Sequence, residues 1–208
     1  MSADLPRQVK HFTLRCVPLA LLLAWLGARY GLALTQWLLP WWQAEIGWLD
    51  DTYRIDNLFV DHEGADQVVR IVVGQAHCLV LAGVAYCGDP RGHANASTLI
   101  GHVSMAATLL LAPALAWPAR HGMEYAWRVL LLPLALATVW ALDVPMVLWA
   151  SLYSLHVNAF APDTFSPLLI WLDFLQGGGR LALALALGAA VVRLAQLATR
   201  LGPWRSAP

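Results

Sequence analysis

Four stretches of this chain, residues 13–37, 99–117, 128–153 and 166–198, run long with almost no formal charge. Each is close to or above the roughly 20 apolar residues that cross the hydrocarbon of a bilayer. In lipid every backbone N–H and C=O must be paired within its own segment, so stretches of this kind form helices. Composition agrees. Apolar residues fill 59% of the 208 positions, charged residues 12%, and the mean hydropathy is +0.58, against about half and a quarter in soluble domains. Thirteen Lys and Arg balance thirteen Asp and Glu, so no positive field points to nucleic acid. Disorder, collagen and coiled coil are excluded on the same grounds. The sequence predicts an all-α integral membrane protein of about four transmembrane helices, whose first partner is the lipid bilayer. The first stretch is too long for a signal peptide and lacks a small-residue cleavage site, so it reads as an anchor.

Loop charge sets the orientation. The N-terminal region carries Arg7, Lys10 and Arg15, the connection between the second and third stretches carries Arg120 and Arg128, and the C-terminal region carries Arg193, Arg200 and Arg205; residues 154–165 carry no Lys or Arg. Because cationic loops stay inside, both termini are expected in the cytoplasm. The organisation is then a cytoplasmic N-terminus (1–12), a first transmembrane helix (13–39), an extracytoplasmic segment (40–98), transmembrane helices two to four (99–198) and a cytoplasmic C-terminus (199–208).

The extracytoplasmic segment is acidic: Glu45, Asp50, Asp51, Asp56, Asp61, Glu63, Asp66 and Asp89 stand against Arg54, Arg70 and Arg91. Apolar alternation with a slip at Asn57-Leu58 predicts a strand over 53–60, residues 61–64 read as a turn, and the β-branched run 67–73 as the return strand, so the insertion contains a β-hairpin. Residues 77–86 extend it or form another strand, and residues 88–92 are a loop. Trp37, Trp41, Trp42 and Trp48 cluster as an aromatic belt would at the outer end of the first helix. Cys78 and Cys87 lie nine apart on the side where a disulfide persists, although the same residues also read as two small buried hydrophobes. Cys16 reads as packing.

Charges within the spans narrow the search for a site, because an ionised side chain in hydrocarbon costs at least ~2.5 kcal/mol and turns toward a partner or a cavity. Arg29 in the first span, Asp143 in the third, and Asp173 and Arg180 in the fourth come to similar depth under this topology. Asp173, Gln176 and Arg180 are spaced i, i+3, i+7 and would share one helical face. The economical arrangement pairs two arginines with two aspartates, either as a polar pocket near the outer surface or as an ion-pair network that fixes helix register. Snorkelling of Arg29 and Arg180 to the headgroups is the remaining possibility. The run Gly177-Gly178-Gly179 offers a break that would leave a short outer helix (167–176) before the last span.

Recognisable catalytic or metal chemistry is absent. His62, His77, His93, His102, His121 and His156 show no zinc spacing, and neither H-x-x-x-H nor C-x-x-C occurs. Asp61-His62-Glu63 reads as a solvated turn rather than a cation site. Ser104 and Ser151 have no base beside them in sequence, and G-x-S-x-G is missing. No metal, cofactor or catalytic residue is expected.

The layout of one span, a strand-rich outer segment and further spans with polar residues in their outer halves resembles the exosortase/archaeosortase family of membrane sorting transpeptidases, over residues 15–193. Members carry a Cys at the outer start of a span, an Arg in the next and a His in the last. Here the corresponding places read Gly101-His102-Val103-Ser104, Leu142-Asp143-Val144-Pro145-Met146 and residues 168–176 (LLIWLDFLQ), so all three roles are empty. The resemblance is therefore to the non-catalytic membrane proteins associated with exosortase H. It implies an accessory role in a bacterial inner membrane, with a sorting transpeptidase or its substrates as partner.

Overall fold

The computed structural model describes residues 5–81, 83–87, 89, 91–119 and 121–201, with residues 5–8 and 201 by backbone alone. Gly88, Pro90, Arg120 and Arg205, used above in the loop and charge readings, lie outside the described residues. The order is α1 (Leu5–Leu49), β1 (Tyr53–Glu63), β2 (Asp66–Gln75), β3 (Leu79–Leu81), β4 (Val84–Tyr86), β5 (His93–Leu99), α2 (Ile100–Ala116), α3 (Gly122–Phe160), α4 (Pro167–Phe174), a π turn (Leu175–Gly179) and α5 (Arg180–Leu201). Three helical stretches are long and apolar enough to cross a membrane: Val9–Leu49, Gly122–Phe160 and Pro167–Arg200. The other apolar helix, α2, has 17 residues. Leu21, Trp25, Leu130 and Leu134 stand outward, an apolar surface suited to lipid rather than to water.

One element boundary differs from expectation, and the break offered by the glycine run is present. Residues 40–49 were assigned to the β-rich insertion, yet α1 continues through Pro40 to Leu49. Proline costs one backbone bond there, but the extra turns bury Trp42 and Ile46, each 2% exposed. The four tryptophans therefore part: Trp42 is core, while Trp37, Trp41 and Trp48 are exposed. The last apolar stretch is interrupted, with Gly178 at φ 100° inside the π turn, a conformation that costs glycine little and other residues much. Gly179 lies so close to Phe174 that a side chain has no room.

The chain divides into two compact units: residues 1–29, 104–139 and 181–208 form the first, residues 30–103 and 140–180 the second. In the second, a three-stranded antiparallel sheet has the order β1-β2-β5. Val69, Ile71 and Val73 on one face of β2 pack with Trp42, Ile46, Val144, Leu148 and Leu152. On the other face Arg70 pairs with Asp61 at 2.8 Å and Glu63 at 3.7 Å. β1 has a register shift between Ile55 and Asn57, just before the slip expected at Asn57-Leu58. The turn expected at 61–64 shortens to Gly64 and Ala65 because Asp61, His62 and Glu63 pair with Val68, Gln67 and Asp66. β5 was not foreseen: HANASTL has little β-branched character, but it pairs along β2 and buries Ala96 and Thr98. β3 and β4 form a separate hairpin, and the disulfide Cys78–Cys87 joins the residues flanking it.

A polar clasp crosses the central strand at Gly74, which pairs with Arg54 on one side and His93 on the other. Arg54 Nε donates to Asp56 Oδ1 at 2.9 Å and His93 Nδ1 to Asp56 Oδ2 at 3.0 Å. A Cβ at position 74 would stand 3.0 Å from Arg54 Nη2 and 3.3 Å from Asp56 Oδ2. The hydrogen bond from Arg54, partly offset by desolvation and aided by His93, holds the Asp56 carboxyl below its usual range. The stabilisation is thus complete above the unfolded value of about 3.9 and disappears as pH falls through the lowered native value. A carboxyl-13C titration of the full chain in detergent should give Asp56 a midpoint below that of an unfolded Asp, moved upward by Gly74→Val. An ordinary midpoint in the unaltered protein contradicts the clasp.

Candidate functional site

The second unit gathers three polar side chains from three helices. Asp143 lies in α3 and is 2% exposed; Arg180, the first residue of α5, is 8% exposed; half-buried His102 lies in the first turn of α2. Arg180 Nε stands 2.9 Å from Asp143 Oδ1, and Arg180 Nη1 contacts His102 Nδ1. A guanidinium has no acceptor lone pair, so Nδ1 accepts and the imidazole proton sits on Nε2. One cation thus serves a carboxylate and a neutral ring at once. Both Asp143 oxygens and Arg180 Nε are buried without a hydrogen-bond partner among the described residues, so Oδ1 and Nε meet as an ion pair and Oδ2 has no partner of either kind.

Local structure explains how the three meet. Trp140 Nε1 donates to the Val103 carbonyl at 3.1 Å, fixing α3 against the start of α2 one turn from Asp143. Trp171 Nε1 donates to the Leu142 carbonyl at 3.2 Å, and Leu172 and Leu175 pack with Val147 and Ala150. The π turn then resets the helical phase before Arg180.

That reset corrects the expected cluster of five. Asp173 and Gln176 do not share the buried face of Arg180: both are exposed, and among the described residues Asp173 forms no ion pair. An i, i+3, i+7 relation holds only through continuous helix, and Gly178 interrupts it. Arg29 is exposed on α1 in the first unit and likewise unpaired among the described residues. The expected two-by-two arrangement is therefore one pair, Asp143–Arg180. His102 was missed as its third member, the available signal being a histidine within an apolar stretch.

A second buried arginine was also missed, having been counted as a cytoplasmic charge. In the first unit Arg128 is fully buried, donates to the carbonyls of Ala114 (3.2 Å), Trp117 (2.5 Å) and Pro118 (3.4 Å) and pairs with Glu124 one turn earlier in α3. It satisfies the carbonyls that α2 leaves open at its end. The i, i+4 spacing of Glu124 and Arg128 at the start of an apolar run was the signal in the sequence.

Reactive groups stand elsewhere. Cys78 and Cys87 form the disulfide flanking the β3–β4 hairpin, and Cys16 is in the first unit. Among the described residues no three His, Cys, Asp or Glu side chains are grouped to hold a metal. At Asp61-His62-Glu63, Arg70 engages both carboxylates, and Ser97 donates to Glu63 at 2.8 Å.

Breaking a buried pair by removing one partner costs about 3–5 kcal/mol, whereas replacing both is far milder. Asp143→Asn and Arg180→Gln should each lower the denaturation midpoint of the full chain in detergent strongly, and the double variant should recover part of the loss. Losses that simply add would show that the residues are energetically independent. No family model, curated protein or solved structure matches this chain.

Proposed function

We propose that the chain is a multi-pass protein of the bacterial inner membrane with both termini in the cytoplasm, crossing by α1, α2, α3 and the α4–α5 stretch. The 17 residues of α2 lie at the short end of the spanning range. Within that membrane it acts as a non-catalytic accessory of an exosortase-type sorting system, holding the enzyme or presenting substrates with C-terminal sorting signals. One observation supports this reading most: segments that carry the family resemblance converge, through Trp171 on the Leu142 carbonyl and through Arg180 on both His102 and Asp143. The resulting cluster has no thiol among its side-chain contacts, and attack on a sorting signal requires a nucleophile.

The same cluster favours a second reading. The unpartnered Asp143 Oδ2 is suited to an enzyme or transporter that moves a proton or polar group through the site. A small assembly subunit of another membrane complex is the third reading, and it would show an extensive lipid-plane interface without a pocket.

Affinity purification from membranes under mild detergent separates them. The accessory role predicts stoichiometric retention of a sorting transpeptidase, with Asp143→Asn leaving the retained partner in place if the protein folds. Purification of the chain without that transpeptidase contradicts the accessory role, and loss of transport or turnover without loss of folding on Asp143→Asn favours the second reading.

A further inference from the structure

The first unit holds a cavity of about 990 Å³ walled by α1, α2, the α2–α3 connection and one face of α5, at the upper end of the roughly 300–1,000 Å³ typical of ligand sites. Its chemistry changes along α5. Leu185, Gly188, Ala189 and Val192 supply an apolar wall, while Arg193, Gln196, Thr199 and Arg200 follow on the same side. Phe12 and Trp117 face that wall, with ring centroids 5.3 Å apart. Arg193 and Arg200 are exposed and form no ion pair among the described residues.

The acid at the cavity is already engaged. Glu124 lines it, but its carboxylate is paired with Arg128, which is anchored on three main-chain carbonyls. Two free guanidinium groups at one end of an apolar trough complement an anion attached to hydrocarbon. Basic pockets between spanning helices on the cytoplasmic side bind anionic lipid headgroups by this chemistry.

We propose that this cavity binds an anionic glycerophospholipid, with its phosphate on Arg193 and Arg200 and acyl chain along the Leu185–Val192 wall. The site rests on the membrane placement above, not on the accessory role, and needs no sorting enzyme.

Native mass spectrometry of the full chain in detergent tests it with phosphatidylglycerol and phosphatidylcholine of identical chains, and glycerol 3-phosphate as competitor. Phosphatidylglycerol should be retained at least fivefold better than phosphatidylcholine. R193Q/R200Q should abolish that preference, since each arginine near a membrane surface contributes roughly fivefold to anion binding. Ala189→Trp, which fills the trough, should weaken retention of both lipids while a thermal melt reports an intact fold. Excess glycerol 3-phosphate should leave the lipid bound, because it lacks the chain. Equal retention of both lipids overturns the proposal, as does displacement by glycerol 3-phosphate, which would make this a site for a free phosphate. A deletion of residues 202–208 that raises retention severalfold irrespective of headgroup would make the C-terminal segment the occupant and would also overturn it.

Discussion

The guanidinium of Arg180 is the contact on which the organisation of the second unit depends. Removing an arginine and an aspartate from water costs several kcal/mol per ion even after relaxation. That cost is offset only if the two meet in good geometry and the spare donors find acceptors. Here Asp143 Oδ1 lies 2.9 Å from Nε as an ion pair and His102 accepts from an Nη nitrogen, so helices α2, α3 and α5 are constrained together. Apolar packing in lipid is weakly directional, since lipid tails are as apolar as leucine. A polar contact that works in one register fixes a helix's rotation more sharply than burial does.

The two buried arginines illustrate different uses of one side chain. Arg180 links helices distant in sequence, 78 positions from His102 and 37 from Asp143. Arg128 works locally: its fork closes the connection between α2 and α3 by meeting the carbonyls that α2 leaves free, with Glu124 neutralising its charge. Replacing Arg128 by lysine would keep the charge and lose the planar fork that reaches several carbonyls.

Much of the fold was legible because its signals are periodic and local. The apolar stretches locate the helices, with ends within about two turns except where α1 continues to Leu49, and the alternation in 53–60 with the β-branched run 67–73 marks the pair β1–β2, whose register shift lies between Ile55 and Asn57, just before the slip expected at Asn57-Leu58. What escaped depends on tertiary context. Pro40 looked like a boundary because the burial of Trp42 and Ile46 that carries α1 past it cannot be read locally. β5 carries no signal of its own, because HANASTL lacks a β-branched run, and its small polar residues are acceptable on an edge strand where β2 supplies the ladder. At the site, Asp143 and Arg180 stood out as charges in hydrocarbon, whereas the exposure of Asp173 and Gln176 follows from the left-handed Gly178, which three consecutive glycines permit but do not dictate.

An ion pair shared with a neutral imidazole ties residues of α2, α3 and α5 to one another. The account rests on Arg180 reaching Asp143 inside the bundle. Rotational-echo solid-state NMR on the full chain in bilayers, with 13C at Asp Cγ, 15N at Arg Nε and Asp143→Asn as the assignment control, measures that contact directly. Dephasing that falls in the control by the share of one arginine–aspartate pair, while the Arg54–Asp56 and Arg70–Asp61 contributions remain, is the predicted result. A dephasing curve identical in the two proteins would mean that the carboxylate and the guanidinium do not meet, and the account would be wrong.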